Sequence, residues 1–283
     1  MTTPELRHEP SGPADTARGL LLTVLGEFVL PSGGRAWTQT LVGLLDLLDV
    51  NSKAARQAIA RMHQRGWLDR RKIGRQTQWL LTDASRLLLE PGAQRIYSFG
   101  QTVRPWNGSW VVLLASMPER DRHLRYRMTT GLNWAGFGSF GQGVWLSPWV
   151  DQEHSAVDLM RGLGVDATTF RATLGELGSP PSLAAVAWDV VDLQRQYETF
   201  LDDTSSMLRQ PPRDGHAAVT MLTTLVHHWR RFPFIDPDLP AELLPIDWPA
   251  PLAAARFADL RAALRGPALD WWQTTESTFS APR

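Results

Sequence analysis

The 283-residue chain contains no cysteine. Disulfides, thiolate zinc sites and cysteine nucleophiles are therefore excluded, and a reducing compartment fits the composition. No run approaches the roughly 20 apolar residues of a membrane-spanning helix, and the first residues, MTTPELRHEPSGPADTAR, lack the apolar stretch of a signal peptide. The signatures GxSxG and HExxH and the phosphate-binding loop GxxxxGK[ST] are also missing, as are internal repeats and low-complexity tracts. The expectation is a soluble, cytoplasmic protein with a disordered tail over residues 1–16.

Net charge is missing too, with 29 basic residues against 29 acidic ones. The balance hides an uneven distribution. Residues 17–104 hold 13 Lys/Arg and 6 Asp/Glu, a surplus of +7, whereas residues 105–283 hold 15 against 20. A basic module on a mildly acidic body is what binding phosphate through one domain needs. With 43% hydrophobic residues the chain can bury real cores, and its length suggests two or three domains.

The basic module opens with LLLTVLGEFVL and WTQTLVGLLDLLDV, both apolar at helical spacing and separated by the breaker PSGG. Asn51 or Ser52 can cap a third helix over residues 53–65, and Gly66 suits the left-handed position just past its end. Next come WLDRR, KIGR and QTQWLLT, a β-hairpin with Gly74 at its tip. Thr82 or Asp83 then caps a fourth helix, DASRLLLE, stopped at Pro91-Gly92. Three helices, a basic hairpin and a further helix make a winged helix-turn-helix over residues 17–100.

The second module, residues 105–178, reads as a ferredoxin-like βαββαβ domain. Its strands are WVVLLAS after the WNGSW turn, GFGSF, GVWLSP and TTFRATLGEL, and its helices are RDRHLRYRMTTGL, opened by Pro118-Glu119, and DQEHSAVDLMRGLG. GSPPS, residues 178–182, reads as a linker. Residues 183–283 are helical: SLAAVAWDVVDLQRQYETFLDD, HAAVTMLTTLVHHWRRF, a proline-rich connector and LAAARFADLRAALRG. The fold class is thus α+β: a winged helix-turn-helix, a ferredoxin-like middle domain and a helical C-terminal domain.

On a wheel of 3.6 residues per turn, Ala54, Ala55, Ala58, Ile59 and Met62 share one face of the third helix. Lys53, Arg56, Gln57, Ala60 and Gln64 take the other, with Arg61 at its margin. Arg can pair two-pronged with guanine and Gln with adenine, while Ala60 allows close approach to the floor of a major groove. Ser52 and the first-turn amides suit a phosphate. A basic helix face is usually only solvated, yet Arg70, Arg71, Lys72 and Arg75 around the hairpin tip favour DNA, on a minor groove or on phosphates.

Other residue groups invite sites. Trp134, Phe137, Phe140 and Trp145, interleaved with glycines, could line an apolar ligand pocket, or could simply be core. Arg230 and Arg231 could hold a phosphate, or could brace the connector by pairing with Asp236 and Asp238. His227 and His228 beside those aspartates suggest a metal, but adjacent helical residues point about 100° apart, so neither metal nor cofactor is expected. Asp151, Glu153 and His154 support an alternative class, a metal-dependent nuclease, although acids at a helix start are commonplace.

Along nearly the whole chain from Arg18 the sequence resembles the PaaX-type repressors of phenylacetate degradation. The resemblance lies in LLLTVLGEFV, AARQAIARMHQRGWL, the GR and LT of KIGRQTQWLLT, WNGSW, LNWAGFGSFGQGVWLSP and, most specifically, RRFPFIDPDLPAELLPIDWP. Asn107 stands where an aspartate is common in the family, and Trp79 where a tyrosine is common. The resemblance implies a three-part architecture and a homodimer on a palindromic double-stranded operator. It also implies release by an aryl-CoA thioester such as phenylacetyl-CoA.

Overall fold

Buried Ala17, Leu20, Leu21 and Val24, at helical spacing, mark the inner face of α1, Pro13–Val24, which passes directly into a π-helical turn, Leu25–Val29. The computed structural model describes residues 13–102, 104–116, 121–210, 212 and 214–280. The tail expected to reach residue 16 lies outside the described residues as far as 12, and residues 13–16 already belong to α1. Two compact units emerge: Met1–Phe99, Phe200–Arg231 and Ala254–Arg283 in the first, Gly100–Thr199 and Phe232–Ala253 in the second.

In the first unit, Gly33 and Gly34 adopt positive φ and turn the chain into β1, Arg35–Trp37, followed by α2, Thr38–Asp46, and α3, Ser52–Gln64. The three-residue strand β1 was not foreseen, and Trp37 lies in it instead of opening a helix. The hairpin β2, Leu68–Ile73, and β3, Gln76–Leu81, completes an antiparallel sheet of order β1-β3-β2. Thr82 caps α4, Asp83–Ser98, accepting from the Ser85 N–H at 3.1 Å.

Helix α4 does not stop at Pro91-Gly92. An interior proline costs about 3 kcal/mol, but the turns beyond it are anchored. The Tyr97 hydroxyl donates to Glu27, and the Trp229 indole N–H donates to the Ile96 carbonyl at 3.0 Å. Packing therefore outweighs local propensity here.

The second unit contains β4, Ser109–Ala115, α5, Arg122–Trp134, β5, Gly138–Gly141, β6, Val144–Ser147, α6, Glu153–Leu163, and β7, Ala167–Thr173. The strands form one antiparallel sheet of order β5-β6-β4-β7. Side-chain alternation along β4 sends Val111 and Leu113 to one face, against Met128 and Leu132 of α5 and Ala156 and Met160 of α6. Trp110 points to the other face, with Leu146. Asp121 caps α5, and Pro118-Glu119, expected to open it, lies outside the described residues. In the WNGSW turn Asn107 Oδ1 accepts from the Ser109 N–H at 3.0 Å, an acceptor that an aspartate would equally supply.

GSPPS is not a linker. Ser179 forms a capping box with Ser182 and opens α7, Pro180–Ala187, with prolines at its first positions, where they lack no needed hydrogen bond. The remaining helices are α8, Val190–Arg209, α9, Gly215–Trp229, α10, Phe232–Ile235, and α11, Ala250–Ser280, which continues past Gly266-Pro267. They divide between the two units. Ala184 and Ala187 of α7, Val190, Leu239 and Leu243 cover the Trp110 face of the sheet, while α9 and most of α11 belong to the first unit. In the connector, Tyr197 stacks on Phe232 at 4.1 Å and its hydroxyl donates to Asp236 Oδ2 at 2.5 Å. Burial pushes the Asp236 carboxyl up to about 6.

Glu27, in the π-helical turn, is the charged group whose placement most constrains the first unit. Its side chain is fully buried, 3.0 Å from the Arg261 guanidinium and 3.9 Å from that of Arg265, and Arg261 also covers the Tyr97 ring at 3.8 Å. Removing one partner of a buried pair strands the other, so Glu27→Ala is expected to cost about 3 kcal/mol. Arg265→Ala, at the half-exposed end of the network, should cost under about 1 kcal/mol. Urea unfolding followed by tryptophan fluorescence measures both, and equal losses would contradict this ranking.

Candidate nucleic-acid interface

Helix α3 is delimited at both ends by its own sequence. The Asn51 side chain accepts from the Ala54 N–H at 2.9 Å, which leaves Ser52 as the first helical residue. At the other end Gly66, at φ 74°, closes a double hydrogen-bonded cap. Its N–H donates to the His63 carbonyl at 2.9 Å, and that of Trp67 donates to the Met62 carbonyl at 2.9 Å. A side chain with a Cβ would resist this left-handed geometry.

Ala55, Ala58, Ile59 and Met62 are buried, while Ser52, Lys53, Arg56, Gln57, Ala60, Arg61 and Gln64 are exposed. No residue of α3 is acidic. At a rise of about 1.5 Å per residue, Lys53 and Arg61 stand roughly 12 Å apart along the axis, with Arg56 and Gln57 between them. Small buried alanines bring the helix backbone close to the core. The long side chains on the far side are left free to extend.

The hairpin is tied to the end of this helix. His63 Nδ1 lies 2.6 Å from the Leu68 carbonyl, and its ring sits 5.5 Å from that of Trp79. Thr82 Oγ1 donates to the Gly66 carbonyl at 2.7 Å, and Trp67 is buried just where the helix turns into β2. In the ribbon Arg70 faces Trp79, Arg71 faces Gln78 and Lys72 faces Thr77. Strand alternation sends Arg70 and Lys72 to one face and Arg71 to the other, and Gly74, at φ 59°, turns the chain into Arg75. All four cations are exposed. Among the described residues none of the cations of α3 or of the hairpin is ion-paired. A surface with unpaired cations on a rigid helix and ribbon, and no carboxylate on the helix, is suited to a polyanion.

The four aromatics considered for an effector do not share one environment. Phe137 and Trp145 are buried in the core beneath α5 and α6, whereas Trp134 is exposed and stacked on Phe234 at 5.3 Å. Phe140 is exposed as well. Arg230 and Arg231 belong to the first unit and the four aromatics to the second. Burial and the neighbouring Arg18 bring Arg230 down to about 10, and its guanidinium packs over Gly19. His227 faces α1, with Nδ1 3.1 Å from Thr23 Oγ1, and burial followed by the charge of Arg230 lowers it to about 4. His228 lies 4.0 Å from Asp203 instead.

The acids offered for catalysis are occupied in separate contacts. Asp151 pairs with Arg104 at 2.9 Å, and His154 with Asp158 at 3.2 Å. Glu153 accepts from Thr169 and Arg171, both at 2.7 Å, and these hydrogen bonds hold its carboxyl below the usual range. Among the described residues no three His, Asp or Glu side chains converge as metal ligands.

Sequence reasoning missed a cleft of about 770 Å³ in the second unit, lined by Ser116, Arg125, Thr129, Asn133, Ser139 and Gln142, with Trp145 in its wall. Its one sequence signal is the spacing of Arg125, Thr129 and Asn133, which places three polar residues on one stripe of α5.

Comparison with known proteins follows the same order along the chain. The family model described as PaaX-like protein matches residues 16–85, that of the PaaX protein central Cas2-like domain matches 103–184, and that of the PaaX-like protein C-terminal domain matches 188–274. The transcriptional repressor PaaX of Escherichia coli (strain K12) is 26% identical over 258 residues, covering 86% of this chain and 78% of that protein. Among solved structures, the uncharacterized protein Rv0674 from Mycobacterium tuberculosis superimposes with a TM-score of 0.60 at 24% identity, over 91% of this chain and 98% of that one, a likeness of fold. With all three models matching in sequence order, the chain belongs to the PaaX-type family.

Proposed function

We propose that the protein is a ligand-responsive transcriptional repressor and not an enzyme. The observation that carries this reading is the acid-free, exposed face of α3 joined rigidly to a hairpin with cations on both faces and at its tip. The first unit then works as a winged helix-turn-helix, with α3 entering the major groove and the β2–β3 hairpin as its wing. Strand order β5-β6-β4-β7 with α5 and α6 on one face supports a ferredoxin-like reading of the second unit. The curated relative is named a transcriptional repressor, which supports the same function here.

Arg56 and Gln57 read base edges, Lys53 and Arg61 flank them, and Ser52 with the first-turn amides holds a phosphate. Arg70, Arg71, Lys72 and Arg75 supply sequence-independent attraction. The protein acts as a homodimer on a palindromic operator of an aromatic-acid catabolic operon. An aryl-CoA thioester such as phenylacetyl-CoA releases it by favouring a dimer whose two helices no longer match the half-site spacing.

Replacing Arg56 and Gln57 together by Ala should lower operator affinity by roughly tenfold or more while leaving binding to unrelated DNA nearly unchanged, since each two-pronged base contact is worth about 1–3 kcal/mol. Replacing Arg71 and Lys72 by Ala should weaken binding to both DNAs and reduce the slope of log affinity against log salt by about 2. Fluorescence anisotropy across a salt series measures both. Unchanged discrimination in the first variant, or an unchanged slope in the second, contradicts the assigned role.

A further inference from the structure

The end of α9 brings a cation against α1, within the first unit, and leaves it without a counter-charge. Gly19 of α1 has no side chain, and two groups of α9 pack over its bare backbone. A Cβ at this position would lie 3.3 Å from Arg230 Nη2 and 3.2 Å from His227 Cε1, tighter than ordinary contact. The glycine is what lets both side chains come so close.

The two groups differ in what they already hold. His227 Nδ1 lies 3.1 Å from Thr23 Oγ1, which donates in turn to the Gly19 carbonyl at 3.2 Å, so the imidazole is engaged. The guanidinium is not. Among the described residues the Arg230 side chain makes no ion pair and no hydrogen bond, and the one charge that acts on it, that of Arg18, repels it. Asp203, the acid on this side of α9, lies by His228 instead.

A buried cation without a partner is unfavourable, and an arginine cannot escape by losing its proton at neutral pH. Burial and Arg18 lower Arg230 to about 10, which still leaves it charged. An anion resolves the conflict. The planar fork of a guanidinium donates two parallel hydrogen bonds to a phosphate, and Arg18 and the exposed Arg231 add positive potential around it. Part of the Arg230 side chain stays at the surface, so the anion can arrive from solvent.

We propose that the seam between α1 and α9 binds a phosphate-type oxyanion, with Arg230 as its anchor. The bound anion links the end of α9 to the turn of α1 that carries Gly19 and Thr23, and α1 in turn packs on α3. Occupancy therefore steadies the helix that supports the recognition surface. The proposal does not depend on the repressor reading.

Thermal unfolding of the full-length protein is followed in sodium phosphate and in sodium chloride at matched pH and ionic strength. Wild type is compared with Arg230→Met and with Arg161→Met, an exposed control on α6. Phosphate is expected to raise the midpoints of wild type and control saturably, by roughly 5 °C at a hundredfold excess over its dissociation constant. Arg230→Met should show only the small, unsaturable rise that phosphate gives proteins in general. In chloride this variant should unfold no lower than wild type, because methionine keeps the apolar stem and removes the uncompensated charge.

Operator binding across a salt series separates the two sources of a phosphate group. An unchanged slope in Arg230→Met assigns the site to free phosphate or a phosphate ester, whereas a slope smaller by about 1 assigns it to the DNA backbone. An Arg230→Met variant that unfolds several degrees lower in chloride would make Arg230 a structural brace and overturn the site. So would an undiminished phosphate response in that variant, or a wild type that phosphate does not stabilise together with an unchanged operator slope.

Discussion

A carboxylate with no exposed surface, Glu27, sets the terms for the first unit. A buried charge is tolerated only where partners surround it, and those partners come from stretches far apart in the chain: Tyr97 at the end of α4, and Arg261 and Arg265 on α11. The π-helical turn that holds Glu27 also carries Phe28, stacked on Trp272 at 5.4 Å. One helical turn further on, Glu276 accepts the Trp37 N–H at 2.9 Å at the start of α2. The last long helix is thus part of the core that holds the π-helical turn and the start of α2, and α3 packs in turn on α1 and α2. The basic module is completed by residues more than 200 positions later.

That platform explains why α3 can be so bare. Half of its buried positions are alanine, which contributes little buried area by itself, and the helix is fixed by its caps, by Ile59 and Met62, and by His63 and Trp67 at the junction with the hairpin. A rigid support frees the outward face from any structural duty. Every exposed position on it can be given to charge and hydrogen bonding. The same division recurs in the second unit, where α5 buries Met128 and Leu132 and turns Arg125, Thr129 and Asn133 toward the cleft.

Features governed by local chemistry were legible in the sequence: α3 between Asn51 and Gly66, the Gly74 hairpin, the buried and exposed faces of α3, and the order of strands and helices from β4 to β7. Features decided at long range were not. Pro91 reads as a stop and the last helix reads only as far as Gly266, yet packing of Tyr97 and Ile96 beyond the first point, and of Trp272 beyond the second, carries the helices through. GSPPS has a linker's composition and a helix start's geometry, because Ser179 and Ser182 cap each other. Strand β1 is too short to show a period. Among the aromatics of the glycine-rich stretch, sequence could not separate Phe137, in the core, from Phe140, outside it. The cleft stayed hidden because a polar stripe at four-residue spacing looks like an ordinary solvated helix face.

The absence of cysteine makes the central claim directly measurable, since one introduced thiol can be labelled uniquely. Gln57→Cys on α3 and, as a control, Asp158→Cys on the exposed side of α6, are each coupled to a photoactivatable cross-linker and irradiated on operator DNA. Specific, salt-sensitive cross-links to bases from position 57 and none from position 158 are the predicted result. Equal cross-linking from both positions, or cross-linking from 158 alone, would contradict α3 as the surface that reads DNA.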